Sequence, residues 1–197
     1  MIKNIYKHQL LYWHLELSSK CMLKCPRCPR TEKRGKYEVT EMSMDFIRRI
    51  FSQKVIAQAK IKKILLCGGQ GDPIYNSSFL PIIEYFKQTT PSLSLAIVTN
   101  GSYKNKSWWQ ALSGLLNEHD SITFSVDGWD NDSNNLYRMN SNFESILTGL
   151  QTMATSKAKV RWSTIVFRFN QNHINTIKAI AQENGADFFD VTISNLF

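Results

Sequence analysis

The chain has 197 residues, of which 43% are apolar and 20% charged, so it can bury a core and does not have the composition of a disordered protein. Its formal net charge is +8, and part of this charge is local. The basic residues that cluster along the sequence are Lys20, Lys24, Arg27, Arg30, Lys33, Arg34 and Lys36. Such a run fits a solvated loop, or the attraction of an acidic partner, a nucleic acid or an anionic cofactor, and the sequence does not separate these interpretations.

No apolar run is long enough to span a bilayer, and the N-terminal residues lack the pattern of a signal peptide. We therefore expect a cytoplasmic protein without membrane contact, in which the four cysteines are reduced. No repeat, low-complexity tract or linker divides the chain, so we treat residues 1–197 as a single domain.

The apolar periodicity alternates along the chain between two residues, typical of strands, and 3.6 residues, typical of helices. Strand-like segments lie at 11–18, 62–68, 94–100, 121–127, 160–167 and 188–194. A first helix begins near Ser43 and continues through Val55, and a second covers 79–89. Two more are expected to open with the capping boxes Ser107–Gln110 and Ser141–Glu144, and a fifth runs from Ile174 to a stop at Gly185.

This strict alternation predicts a parallel sheet with right-handed crossovers, either doubly wound or barrel-like. Several strands place apolar residues on one face and polar residues on the other. The polar positions are His14, Glu16 and Ser18, then Thr123, Ser125 and Asp127, then Asp190, Thr192 and Ser194. Since a polar face suggests a lumen that holds a ligand, we expect an α/β fold, a partial (β/α)6 TIM-like barrel. No helical pattern follows the sixth segment, so the barrel should be open at its side.

Three of the four cysteines, Cys21, Cys25 and Cys28, directly follow the first strand with the spacing C-x₃-C-x₂-C. Thiolates are soft ligands that suit zinc or an iron–sulfur cluster. Structural zinc needs a fourth ligand, for which Cys67, His8 or His14 are the available side chains. An iron–sulfur cluster with one iron left free explains a count of three better than zinc does.

The sequence "CMLKCPRCPR" after a first strand resembles the cysteine motif of the radical S-adenosylmethionine (radical SAM) superfamily. The resemblance implies a [4Fe–4S] cluster held by the three cysteines, with S-adenosylmethionine (SAM) chelating the fourth iron. "CGGQGDP" at 67–73, "TNG" at 99–101 and "SVDG" at 125–128 follow in the order that the family would predict. The cofactor contacts that the resemblance implies are Gly68, Gly69, Gln70, Asp72, Asn100, Ser125 and Asp127.

Other interpretations of these landmarks are structural, since glycines at 68, 69 and 71, Asn100 and the "DG" pair all suit tight turns. Two positions depart from the family pattern. Gln70 stands where glutamate is common, and Arg27 stands where many members carry an aromatic residue. Both departures alter charge or exposure around a cluster and hence its potential.

The resemblance implies that one electron from the cluster cleaves SAM to a 5′-deoxyadenosyl radical, which abstracts hydrogen from a substrate. It also implies an external electron donor of flavodoxin or ferredoxin type. The motif style is most similar to the SPASM/twitch-type group, which acts on peptides or proteins, but the cysteines of its C-terminal auxiliary clusters are lacking. Residues that could contact substrate from the lumen or its mouth are His14, Glu16, Arg168, Asp190 and Thr192, although polar contacts between strands explain them equally well.

Three alternatives stay open at this stage. The substrate could be RNA or a small molecule, although no RNA-binding motif supports RNA. The chain could be a non-catalytic basic binding module that a metal stabilises. It could also be a shortened enzyme that keeps a cluster without turning over, against which the intact set of three cysteines argues.

Overall fold

The computed structural model describes residues 12–32 and 38–193. It contains one six-stranded sheet in the order β1-β2-β3-β4-β5-β6, and every neighbouring pair is parallel. The strands are β1 (Tyr12–Leu15), β2 (Lys63–Leu66), β3 (Ser94–Thr99), β4 (Ser121–Ser125), β5 (Lys159–Val166) and β6 (Phe188–Ile193). Leu11 and Ser194 of the predicted strands, and Lys33, Arg34 and Lys36 of the basic run, lie outside the described residues.

Helices connect the strands and confirm the predicted alternation. They are α1 (Pro29–Glu32), α2 (Met44–Ile50), α3 (Gln53–Gln58), α4 (Phe79–Thr89), α5 (Lys106–Leu115), α6 (Asn131–Asn135), α7 (Phe143–Met153) and α8 (Ile174–Glu183). A single 3₁₀ turn, Pro73–Tyr75, follows β2. No helix within the described ranges is long and apolar enough to cross a membrane.

The hydrophobic core lies between one face of the sheet and the helices. Strand residues that are fully buried there include Ile64, Ile97, Phe124 and Trp162, and the helices contribute Phe86, Leu112, Ile146 and Leu150. On the opposite face, Ser125 and Arg161 are only partly buried. In the described part of the chain, β1 and β6 each pair with one strand, so the sheet does not close. The prediction of a laterally open, partial TIM-like barrel with one apolar and one polar face is confirmed.

The last strand differs from its prediction on the outer face. Its apolar residues Phe189, Val191 and Ile193 alternate with the polar positions, and this pattern predicts that they face helices as the apolar residues of the other strands do. Val191 is 47% and Ile193 80% exposed, because the last described helix, α8, precedes β6 and the helical layer stops short of the strand's end.

Both predicted capping boxes are wrong. Asn105 caps α5 by accepting from the backbone N–H of Trp108, and Asn142 caps α7 in the same way. The two serines are committed elsewhere: Ser107 donates to the Asn105 side chain at 2.9 Å, and Ser141 accepts from Asn134 at 2.9 Å. Asparagine caps a helix about as well as serine, and in both helices an asparagine occupies the N-cap position.

The first predicted helix is two helices. Ser43 caps α2 as expected, but Ser52 accepts from the backbone N–H of Val55 and begins α3. The pattern of apolar residues continues through Phe51 on the same buried side, which is why periodicity alone did not reveal the break.

Candidate functional site

A cavity of about 290 Å³ opens at the carboxyl ends of β1 to β5. The three clustered cysteines line it together with residues from the loops after β2, β3 and α6 and from the ends of β3, β4 and β5. The other lining residues include Cys67, Gly68, Gly71, Asp72, Thr99, Asn100, Ser125, Tyr137, Arg138 and Ile165. This is the edge at which parallel α/β folds place their ligands.

Backbone hydrogen bonds hold the cysteine loop, residues 21–28, from two sides. The N–H of Asp72, in the loop after β2, donates to the carbonyl of Lys20 at 2.8 Å. The N–H of Lys24 donates to the carbonyl of Met139, in the loop after α6, at 2.9 Å. The cysteine loop is therefore held against the loop after β2 on one side and against the loop after α6 on the other.

Glycine at position 71 is required by the close approach of these loops. A Cβ there would lie 2.0 Å from the carbonyl oxygen of Ser18, and a Cβ at Gly68 would lie 2.4 Å from the carbonyl of Gly71. Gly68 and Gly71 line the cavity, whereas Gly69 and Gln70 do not. The N–H of Gln70 instead donates to Glu16 at 3.3 Å. The glycines thus serve the tight turn and expose backbone to the cavity at the same time.

Burial makes the thiols of Cys21 and Cys25 hard to ionise in the absence of a metal. Burial raises the pKa of Cys21 to about 12, and the nearby carboxylate of Asp72 adds to the shift. Burial also raises the pKa of Cys25, against the opposing effect of Arg138. Ligands to a metal must be deprotonated, so positive charge from iron would have to supply the stabilisation that solvent does not.

The three thiols fit an iron–sulfur cluster by their chemistry, because all three are soft donors that border one cavity. Within residues 12–32 and 38–193, no three His, Cys, Asp or Glu side chains lie close enough together to hold one metal ion. Cluster ligands bind different irons and do not need to meet at one point.

Asp72 is a buried carboxylate surrounded by donors. Its oxygens accept from the backbone N–H of Ile74 at 3.2 Å, the hydroxyl of Thr99 at 3.0 Å and the backbone N–H of Asn100 at 2.7 Å. Burial raises its pKa to about 6, although these hydrogen bonds act in the opposite direction. Asp72 borders the cavity but is committed to joining the loops after β2 and β3.

Arg138 is a site residue that the sequence analysis missed. Its Nε donates to Asp127 at 2.6 Å, and the other carboxylate oxygen of Asp127 accepts from the backbone N–H of Ile165 at 2.8 Å. Asp127 is fully buried and outside the cavity lining, whereas Arg138 and Ser125 line the cavity. No spacing rule links Arg138 to Asp127, since an irregular loop and α6 separate them, so sequence carried no signal for this pair.

The five predicted substrate residues do not line the cavity. His14 is exposed, with Nε2 2.8 Å from the carbonyl oxygen of Cys67. Glu16 lines a separate groove of about 330 Å³ beside β1. Asp190 pairs with Arg161 through two hydrogen bonds of 2.8 and 2.9 Å. Arg168 lies after β5 and Thr192 on β6, and both are exposed.

The sequence model of the Radical SAM superfamily matches residues 15–182, a range that includes the cysteine loop and the three later landmarks. This chain belongs to the radical SAM superfamily. The predicted family resemblance is thereby confirmed, and membership implies SAM and an iron–sulfur cluster as cofactors. No curated protein sequence matches the chain significantly.

Solved structures of other radical SAM proteins share the fold. SuiB from Streptococcus suis, bound to S-adenosylmethionine, is 17% identical over 93% of this chain, with a TM-score of 0.75. Native anSMEcpe with bound AdoMet and the Cp18Cys peptide is 18% identical over 92%, with a TM-score of 0.68. Methylornithine synthase (PylB) is 14% identical over 92%, with a TM-score of 0.67. The match spans 40%, 50% and 52% of those chains, respectively.

Proposed function

We propose that Cys21, Cys25 and Cys28 bind three irons of a [4Fe–4S] cluster and that SAM occupies the adjoining cavity. One observation carries the proposal: the three thiols, the glycine loop after β2 and the polar ends of the neighbouring strands border the same cavity. Held by these three thiolates, the cluster would supply the one electron needed for reductive cleavage of SAM to methionine and a 5′-deoxyadenosyl radical, and hydrogen abstraction from the substrate would follow.

Different polar residues of the cavity contact different groups of SAM. Two arginines, Arg27 and Arg138, line the cavity, and the less exposed one, Arg138, offers its guanidinium to the methionine carboxylate, with which it matches as a planar pair. Gly68 offers backbone groups to the amino group, and Ser125 offers its hydroxyl to the ribose. Asp127, with both carboxylate oxygens engaged, holds Arg138 in place. The contacts predicted for Gly69 and Gln70 remain predictions.

A peptide or protein is the substrate class that we propose. SuiB has been crystallised with its precursor peptide SuiA, and a structure of anSMEcpe contains the Cp18Cys peptide; the two proteins are 17% and 18% identical to this chain. The open sheet leaves residues of β6 accessible, and two carboxylates, Glu16 and Glu41, line the groove beside β1, of which Glu41 is paired with Lys20 at 3.0 Å. A basic residue of a substrate segment would complement Glu16 in that groove. Our proposal keeps His14, Glu16, Arg168, Asp190 and Thr192 as substrate contacts.

The electron donor that the chemistry requires is proposed to approach from the cysteine loop. Lys24 and Arg27 are neighbours of cysteine ligands, and both are exposed. Positive charge beside the cluster would attract the acidic surface of a flavodoxin- or ferredoxin-like protein and increase its association rate.

The test of this function is anaerobic. The protein is purified, reconstituted with iron and sulfide, and given dithionite and SAM, and 5′-deoxyadenosine is measured by chromatography. We expect wild type to form it, Cys25→Ala to form none, and Cys67→Ala to keep forming it, because Cys67 borders the same cavity but is not a proposed ligand. A loaded wild-type cluster that never cleaves SAM would overturn the proposal and favour the non-catalytic binding module.

A further inference from the structure

The side-chain amide of Asn100 lies between a buried carboxylate and the first cysteine of the loop. Its Nδ2 is 3.6 Å from the sulfur of Cys21, within the range of an N–H···S hydrogen bond, and also donates to the carboxylate of Asp72. An amide nitrogen carries two hydrogens, so both contacts can exist at once.

The orientation of this amide is fixed by its partners. The N–H of Ser102 donates to Oδ1 of Asn100 at 3.0 Å, so the oxygen end must face Ser102 and the nitrogen end must face Asp72 and Cys21. In a flipped amide, Nδ2 would face the N–H of Ser102, which is also a donor, and Oδ1 would face the carboxylate of Asp72, which is also an acceptor.

The side chain also cannot move away easily. Asn100 is 5% exposed, and its backbone N–H donates to the same oxygen of Asp72 at 2.7 Å. The hydroxyl of Thr99 donates to that oxygen as well and accepts from the N–H of Gly101, whose φ of +74° closes the turn after β3. The turn and the buried carboxylate together hold the amide beside Cys21.

We propose that Asn100 is a positioning residue that donates a hydrogen bond to the Cys21 ligand and raises the reduction potential of the cluster, an inference that rests on the proposed function. Reduction adds negative charge to the cluster and its sulfurs. A donor to a sulfur stabilises the reduced state more than the oxidised state, so its removal makes reduction harder. Asp72 acts through Asn100 by holding the amide in place.

The experiment compares midpoint potentials of reconstituted wild type, Asn100→Leu and the control Thr152→Val, measured by anaerobic redox titration without SAM. Asn100→Leu keeps the approximate volume and removes the donor. We expect the ratio of reduced to oxidised cluster at a fixed solution potential to fall roughly three- to tenfold, where tenfold corresponds to about 59 mV for one electron. Thr152→Val removes a hydroxyl that donates to the backbone carbonyl of Thr148 within α7, outside the cavity lining, so its potential should match wild type. A loaded Asn100→Leu cluster with the wild-type potential overturns the inference.

A second measurement needs no variant, in case Asn100→Leu fails to hold a cluster. Wild type with ¹⁵N in its asparagine side-chain amides should show a ¹⁵N coupling in pulsed EPR of the reduced cluster, replacing a ¹⁴N coupling in unlabelled protein. Absence of any amide-nitrogen coupling overturns the inference and leaves the proposed function intact. If wild type forms no cluster at all, the proposed function fails first and the inference falls with it.

Discussion

Arg138 and Asp127 form the charged pair at the wall of the cavity, and the pair makes a prediction about SAM affinity. Arg138→Lys keeps the positive charge but loses the planar fork that matches a carboxylate. We expect the Kd for SAM, measured by calorimetry on reconstituted protein, to rise about tenfold or more.

The matched control for this pair is Arg161→Lys. Arg161 also binds an aspartate, Asp190, through two hydrogen bonds, but it lies outside the cavity lining. Its variant should leave the Kd unchanged. Equal effects from both variants would show that Arg138 does not contact SAM.

A comparison of Gly71 with Gly114 distinguishes the loss of stability that crowding causes from the general effect of replacing a glycine by alanine. In Gly71→Ala the new methyl group would lie 2.0 Å from the Ser18 carbonyl oxygen, so backbone must shift, at a cost of roughly 2 kcal/mol or more. Gly114, within α5, has no atom within 4 Å of a Cβ position, and Gly114→Ala should stabilise by about 0.5–1 kcal/mol. Urea unfolding of both variants measures the difference, and a neutral Gly71→Ala would contradict the packing described for the two loops.

Asp72 gives a pH prediction. Its pKa in the folded protein is raised to about 6 by burial, above its ordinary value of 3.8, so the folded state holds the proton more tightly than the unfolded state. The stability that this provides is present below about pH 4 and is lost as the pH rises through 6.

We therefore expect the free energy of unfolding of the metal-free wild type, minus that of Asp72→Asn, to fall by up to roughly 3 kcal/mol between pH 4 and 7. Urea unfolding across that pH range measures the difference. A difference that is flat or rises with pH would contradict the raised pKa.

At the scale of elements, the caps of α5 provide a direct comparison between sequence pattern and structure. Asn105→Ala removes the side chain that accepts from Trp108 and should cost about 1 kcal/mol of stability. Ser107→Ala should cost less than about 0.5 kcal/mol, because Ser107 is exposed and is not the cap. Thermal unfolding of the two variants distinguishes them, and the reverse order would restore the predicted capping box.

The strands and helices could be predicted because their signal is local. Alternation of Ile122, Phe124 and Val126 with polar residues shows a strand with one buried face, and every such segment was found in the sheet. The caps failed because the choice between Asn105 and Ser107 depends on which side-chain oxygen reaches the free backbone N–H groups of the first turn of α5. That information exists only when the neighbouring loops are in place.

The parts of the candidate site that could be predicted are those that follow from motif spacing and sheet topology. Cys21, Cys25 and Cys28 follow from spacing, and their shared cavity follows from the rule that parallel strands end at one edge. Arg138 and the sulfur contact of Asn100 depend on loop geometry, which no motif records. The landmark motifs located the loops correctly but did not specify which side chain of each loop borders the cavity.

At the scale of the whole molecule, β1 and β6 each pair with one strand in the described part of the chain, so the sheet stays open, and a groove separate from the cysteine-lined cavity lies beside β1. The match to SuiB, anSMEcpe and PylB covers nearly all of this chain but only 40–52% of theirs. The common part is the fold of this chain, so the proposed cofactor chemistry should be tested on this fold, at the carboxyl edge of its sheet.

The most direct test is the EPR spectrum of the reduced, reconstituted protein before and after SAM is added. We predict the spectrum of a [4Fe–4S]⁺ cluster whose g values shift when SAM reaches the iron without a cysteine ligand. Cys25→Ala should lose the signal. A spectrum that saturating SAM leaves unchanged, or a full signal in Cys25→Ala, would contradict the account of a three-cysteine cluster open to the cavity.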